Sequence, residues 1–206
     1  MRKLLLACGI LSSLLYVTTV VIAGLHWHGY SATSQTVSEL FAIGAPTSSF
    51  VVPLFVLYAL LVYAFGAGIW LSAGRSRVLR VAAALVIGKE VLGLIVTLFF
   101  PMHLRGTEPT LTDQMHAILT LIGVVFMLAA IGFAATAFGK RFRLYSIATI
   151  ALLAAFGTLA GLDGARLEAN LPTPWMGVTE RINIFAYMLW IIVLAMLLWR
   201  YRPATR

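Results

Sequence analysis

Asp113 and His116 stand three residues apart at the start of an apolar stretch, and three residues on a helix share a face. A carboxylate and an imidazole at that spacing suit two chemistries. They can ligate a metal, or the carboxylate can orient the imidazole as a general base. His103 precedes them across a short connection and His26 lies further back, so His26, His103, Asp113 and His116 form a candidate site for zinc or another transition metal. A metal there would lower the pKa of a bound water, with Glu180 as a candidate catalytic base. The spacing is not that of a dedicated zinc motif, and a hydrated histidine at headgroup level is the structural alternative.

Glu180 heads a second pattern. Glu180, Asn183, Tyr187 and Trp190 recur at i, i+3, i+7 and i+10, one face of a helix. Polar groups facing lipid are costly, so this stripe is expected to face the interior of a bundle. Arg181 can pair with Asp163, with Glu168 or with an anionic headgroup. Glu39, Glu180, Arg181, Asn183 and Tyr187 thus make the candidate ligand-binding set. Ser12, Tyr16 and Thr19 draw a similar line on the first apolar stretch, where small hydroxyl residues also serve as packing residues.

Lys89 and Glu90 are the charged pair inside an apolar stretch. Charges at that depth are functional candidates by default. Neighbours on a helix point about 100° apart. The two are therefore not expected to neutralise each other easily: Lys89 is expected to snorkel toward the cytoplasm, and Glu90 to share an inward face with Thr97.

The elements that carry these residues follow from composition. Of 206 residues 61% are hydrophobic and 11% charged, which excludes a soluble globule and a disordered chain. A crossing helix needs about 20 apolar residues. Six stretches qualify: 4–24, 49–72, 81–100, 114–138, 144–161 and 182–199. The expected fold is all-α, one transmembrane domain of six helices over 1–206. The stretch before the second span reads as a short interfacial helix from Thr36, with Thr36 and Glu39 at capping-box spacing, interrupted by Gly44-Ala45-Pro46.

The net charge of +8 is not a nucleic-acid signal, because the basic residues sit at span ends. Arg2, Lys3, Arg75, Arg77, Arg80, Lys140, Arg141, Arg143, Arg200, Arg202 and Arg206 all fall on one side. The positive-inside rule then puts both termini in the cytoplasm, in a plasma or inner membrane. All four histidines and six of the seven acids fall on the other side. There the returning spans begin with Ser38-Glu39, Thr112-Asp113 and Thr179-Glu180, hydroxyl and acid pairs suited to helix starts. The first span resembles a signal peptide at Val21-Ile22-Ala23 but is longer than a signal's apolar core, so it is read as retained. Cys8, the one cysteine, allows no internal disulfide. Trp27, Tyr30, Trp175, Trp199 and Tyr201 read as interfacial anchors. Phosphate loops, His-Glu-x-x-His, nucleophile-elbow serines and Cys-x-x-Cys are missing from the sequence.

Phe99-Phe100-Pro101 closing the third span, His116 shortly after the next loop, and Glu180-Arg181-Ile182 with Tyr187 and Trp190 resemble DUF998, a domain-of-unknown-function family. The resemblance implies a six-span integral membrane protein and no established activity. The favoured expectation is a bundle whose outward polar cavity binds a membrane lipid or small ligand, or a subunit beside a membrane-protein partner or a second copy of itself. The alternatives are a metal-dependent hydrolase at the outer leaflet and a small transporter using Glu90.

Overall fold

The structure is a computed structural model and describes residues 1–169 and 171–201. Arg202 and Arg206 lie outside the described residues, and so does the Glu168 side chain. Six helices follow one another: α1 Arg2–His26, α2 Ser48–Ser72, α3 Arg77–Phe99, α4 Leu111–Ala137, α5 Lys140–Glu168 and α6 Met176–Arg200. Each is long and apolar enough to cross a membrane, with mean hydropathy between 1.8 and 2.6. The all-helical, six-span expectation is met, and no strand occurs among the described residues.

The helices close a ring in chain order, each packing on the next, with α6 returning to α1. Arg2 ties the two ends of the chain together, donating to the carbonyls of Leu198 at 3.2 Å and Tyr201 at 3.0 Å. The start of α1 and the end of α6 therefore occupy one end of the ring, called here the terminal end. The first, third and fifth connections cover the far end.

Packing differs between the two ends. Toward the terminal end Leu6, Phe65, Ile69, Leu79, Ile131, Leu194 and Leu198 are fully buried, so the ring is filled. Lipid is as apolar as leucine, so close van der Waals fit holds such helices together. Gly68 shows the fit: a Cβ there would lie 3.0 Å from the Leu5 backbone of α1. Toward the far end the helices leave a central space.

Three boundaries differ from the hydropathy reading. α5 continues to Glu168 instead of ending near 161, because hydropathy marks only the apolar part and the backbone can stay helical beyond it. The interfacial helix shrinks to a single 3-10 turn, Ser38–Phe41, ended by Ala42 in extended geometry before Gly44 at φ 86°. α6 begins at Met176, so Thr179 and Glu180 lie within it and not at its cap. The hydroxyl of Thr179 donates back to the Met176 carbonyl at 2.9 Å.

Candidate functional site

The far end is knit together by its own charges. Thr36 and Glu39 form the anticipated reciprocal cap: Thr36 N–H donates to Glu39 Oε2 at 2.9 Å, and Glu39 N–H donates to Thr36 Oγ1 at 3.2 Å. Glu39 is fully buried, and Arg105 from the third connection supplies its counter-charge through Nε. The same guanidinium donates to Thr173 Oγ1 at 2.6 Å and to the Ser34 carbonyl, so one arginine joins all three far-end connections. Glu39 is thus a structural anchor here. Arg105 was visible in sequence only as the sole basic residue of its connection.

Arg181 is committed in the same way. Its Nη1 donates to the carbonyls of Ala32 at 2.8 Å, Gln35 at 2.9 Å and Gly177 at 2.9 Å, and its Nη2 donates to the Tyr30 hydroxyl. The considered pairing with Asp163 is not made; Asp163 lies 3.9 Å from Arg166. Tyr30, read as an interfacial anchor, in turn donates to the Thr36 carbonyl at 2.7 Å. Burial pushes its phenol up to about 12, with the adjacent Arg181 pulling the other way. Gly177 is required beneath this loop, since a Cβ there would fall 2.5 Å from the Ala32 carbonyl oxygen.

Asp113 and His116 share a helix turn but serve different partners. Asp113 accepts from the His103 N–H at 2.7 Å, the His103 ring at 2.9 Å, and Thr110 through both its N–H at 2.9 Å and its hydroxyl at 2.7 Å. It caps α4 and holds the third connection, so it does not orient His116. The Phe100 carbonyl does that, 2.9 Å from His116 Nδ1. A carbonyl only accepts, so Nδ1 carries the proton. The carbonyl is free because α3 ends there, before Pro101, which cannot continue the ladder. His26 stands apart, edge-on to Phe50 at 5.9 Å. Among the described residues no three of His, Cys, Asp and Glu are arranged to hold a metal ion, so the four suggested ligands are not brought together.

Beneath this cover lies a cavity of about 550 Å³ lined by all six helices and by the first and third connections. Glu180, Asn183 and Tyr187 face it, as the stripe predicted, and Tyr16, Glu90 and Thr97 face it from α1 and α3. Glu180 accepts from the Val37 N–H at 2.6 Å. The Asn183 amide, placed so that its nitrogen donates to the Leu153 carbonyl at 3.0 Å and its oxygen accepts from the Gly157 N–H at 2.8 Å, ties α6 to α5.

Lys89 corrects the sequence expectation. Its ammonium does not snorkel away; it folds beside its neighbour and donates to Glu90 Oε2 at 3.0 Å. The rings of Tyr58 and Tyr187 lie 5.8 Å and 5.7 Å from the same ammonium. The long lysine stem spans the angle between adjacent helical positions, and two aromatic faces replace lost hydration. Tyr58 was missed in sequence because nothing in an apolar run marks it as facing a charge.

The family described as "Protein of unknown function (DUF998)" matches residues 10–197, nearly the whole chain. The chain belongs to DUF998. No curated protein and no solved structure matches it. In this DUF998 member Phe99-Phe100-Pro101 exposes the carbonyl that His116 uses, and Glu180-Arg181 fastens the first connection over the cavity.

Proposed function

We propose that this DUF998 protein holds an amphipathic ligand, a membrane lipid in the first instance, in the far-end cavity. The observation that carries the reading is the cavity itself. Its volume falls within the range of about 300–1,000 Å³ typical of small-molecule sites. Its wall is largely apolar, and the Lys89–Glu90 pair supplies polar contacts at depth. An ammonium has three donors and one is directed at Glu90, so donors remain for a ligand oxygen. The concentration of basic residues toward the terminal end supports an orientation with both termini in the cytoplasm of a plasma-membrane protein, so that the cavity serves the outer leaflet.

Gly123 and Gly161 line the cavity, and a Cβ at either meets nothing within 4 Å. Gly123→Leu with Gly161→Leu should therefore fill the space without disturbing helix contacts. Native mass spectrometry of protein extracted in mild detergent should show bound lipid on the parent protein and its loss from the filled variant, with the thermal midpoint unchanged. Equal lipid on both would overturn the reading.

A further inference from the structure

Ser38 and His116 meet at the edge of this cavity. Ser38 Oγ lies 3.2 Å from His116 Nε2. Since His116 Nδ1 donates its proton to the Phe100 carbonyl, Nε2 is the free acceptor and the serine hydroxyl is the donor. The arrangement repeats the order of a nucleophilic triad: hydroxyl, imidazole, and an acceptor that fixes the tautomer. A backbone carbonyl here fills the place of the usual carboxylate.

The geometry is held from three sides. In a 3-10 turn residues i and i+3 eclipse, so Ser38 and Phe41 share a face. Phe41 stacks on the His116 ring at 6.2 Å and 29°, while Ser38 meets its Nε2 edge. The turn itself is anchored by the Thr36–Glu39 cap and by Glu180 on the Val37 N–H. His116 is buried, and Ser38 is only partly so, with both side chains lining the cavity.

We propose that Ser38 and His116 form a metal-independent acyl-transfer site acting on ester-bearing lipids; this rests on the lipid-cavity reading above. Ser38 Oγ attacks the ester carbonyl carbon and its proton passes to His116 Nε2. The carbonyl electron pair moves to oxygen, then returns as the carbon–oxygen bond to the leaving alcohol breaks. That alcohol takes the proton from Nε2, leaving an acyl ester on Ser38. A water or acceptor alcohol then attacks the acyl carbon and gives its proton to Nε2. The bond to Ser38 breaks, and Ser38 recovers the proton as the free acid or new ester departs.

The test is labelling of the detergent-solubilised full chain with a long-chain alkyl fluorophosphonate, located by peptide mass spectrometry. An adduct on Ser38 is expected. It should vanish in Ser38→Ala and fall about a hundredfold or more in rate in His116→Gln, the scale of a lost general base. Because the adduct is sought first on the parent protein, misfolding of a variant cannot mask the result. No adduct on Ser38, in protein that retains its lipid, overturns the acyl-transfer proposal and leaves the lipid-cavity reading standing. If Ser38 is labelled equally in the parent and in the cavity-filled variant, and both bind no lipid, the dyad stands while the cavity reading fails.

Discussion

Asn183 reaches from α6 to the Gly157 N–H of α5, accepting from it at 2.8 Å while donating to the Leu153 carbonyl. Leu153 and Gly157 are four apart, the acceptor and donor of one helical turn. A single amide thus caps a backbone pair within α5, and Gly157 leaves room for it: a Cβ there would lie 3.1 Å from the Asn183 amide oxygen.

Asn183→Leu removes this bridge. A buried hydrogen bond contributes about 1 kcal/mol, and a group left unsatisfied costs about 1–3 kcal/mol. We expect a stability loss in that range, read by denaturant unfolding in detergent micelles, with α5 amides near Gly157 exchanging faster. Unchanged exchange at Gly157 would mean the bridge is not formed in solution.

Removing the guanidinium that faces buried Glu39 should cost more. Breaking a buried pair by deleting one partner costs about 3–5 kcal/mol. Arg105→Ala is expected to approach that figure, reduced because the arginine is itself 29% exposed. Glu39→Gln in the Arg105→Ala background should recover part of the loss. A single variant as stable as the parent would show that Glu39 is compensated some other way.

Gly177→Ala places a methyl group against the Ala32 carbonyl and the Arg181 guanidinium. Overpacking of this kind costs about 1–3 kcal/mol. Its signature is local: faster proteolysis of the first connection, with the terminal-end packing intact. Proteolysis at the parent's rate would argue against the close approach.

Alkaline pH should loosen the same connection through Tyr30. Its phenol is pushed up to about 12 in the fold, above the ordinary value near 10, so the folded state retains a proton the unfolded state releases. The stability this adds is complete below about pH 10 and is lost as pH rises toward about 12. The thermal midpoint of the parent should fall more steeply across that window than that of Tyr30→Phe. Parallel curves would refute the assignment.

Hydropathy and charge were enough to read six crossings and their shared ends, because each span is a local property of about 20 consecutive residues. The 3.6-residue period likewise showed that Glu180, Asn183 and Tyr187 share an inward face. Even the Thr36–Glu39 cap was legible, being a contact across three residues. What sequence could not supply were partners distant along the chain. Asp113 and His116, three apart, looked like a unit; the fold gives Asp113 to His103 and Thr110, and His116 to Phe100 and Ser38, 78 residues away. Arg105 finds Glu39 across 66 residues, and Lys89 lies over Tyr58 and Tyr187 from two other helices. Spacing along a helix sets which side chains can face the same way. The ring closure, a relation among six helices, alone determines what they face.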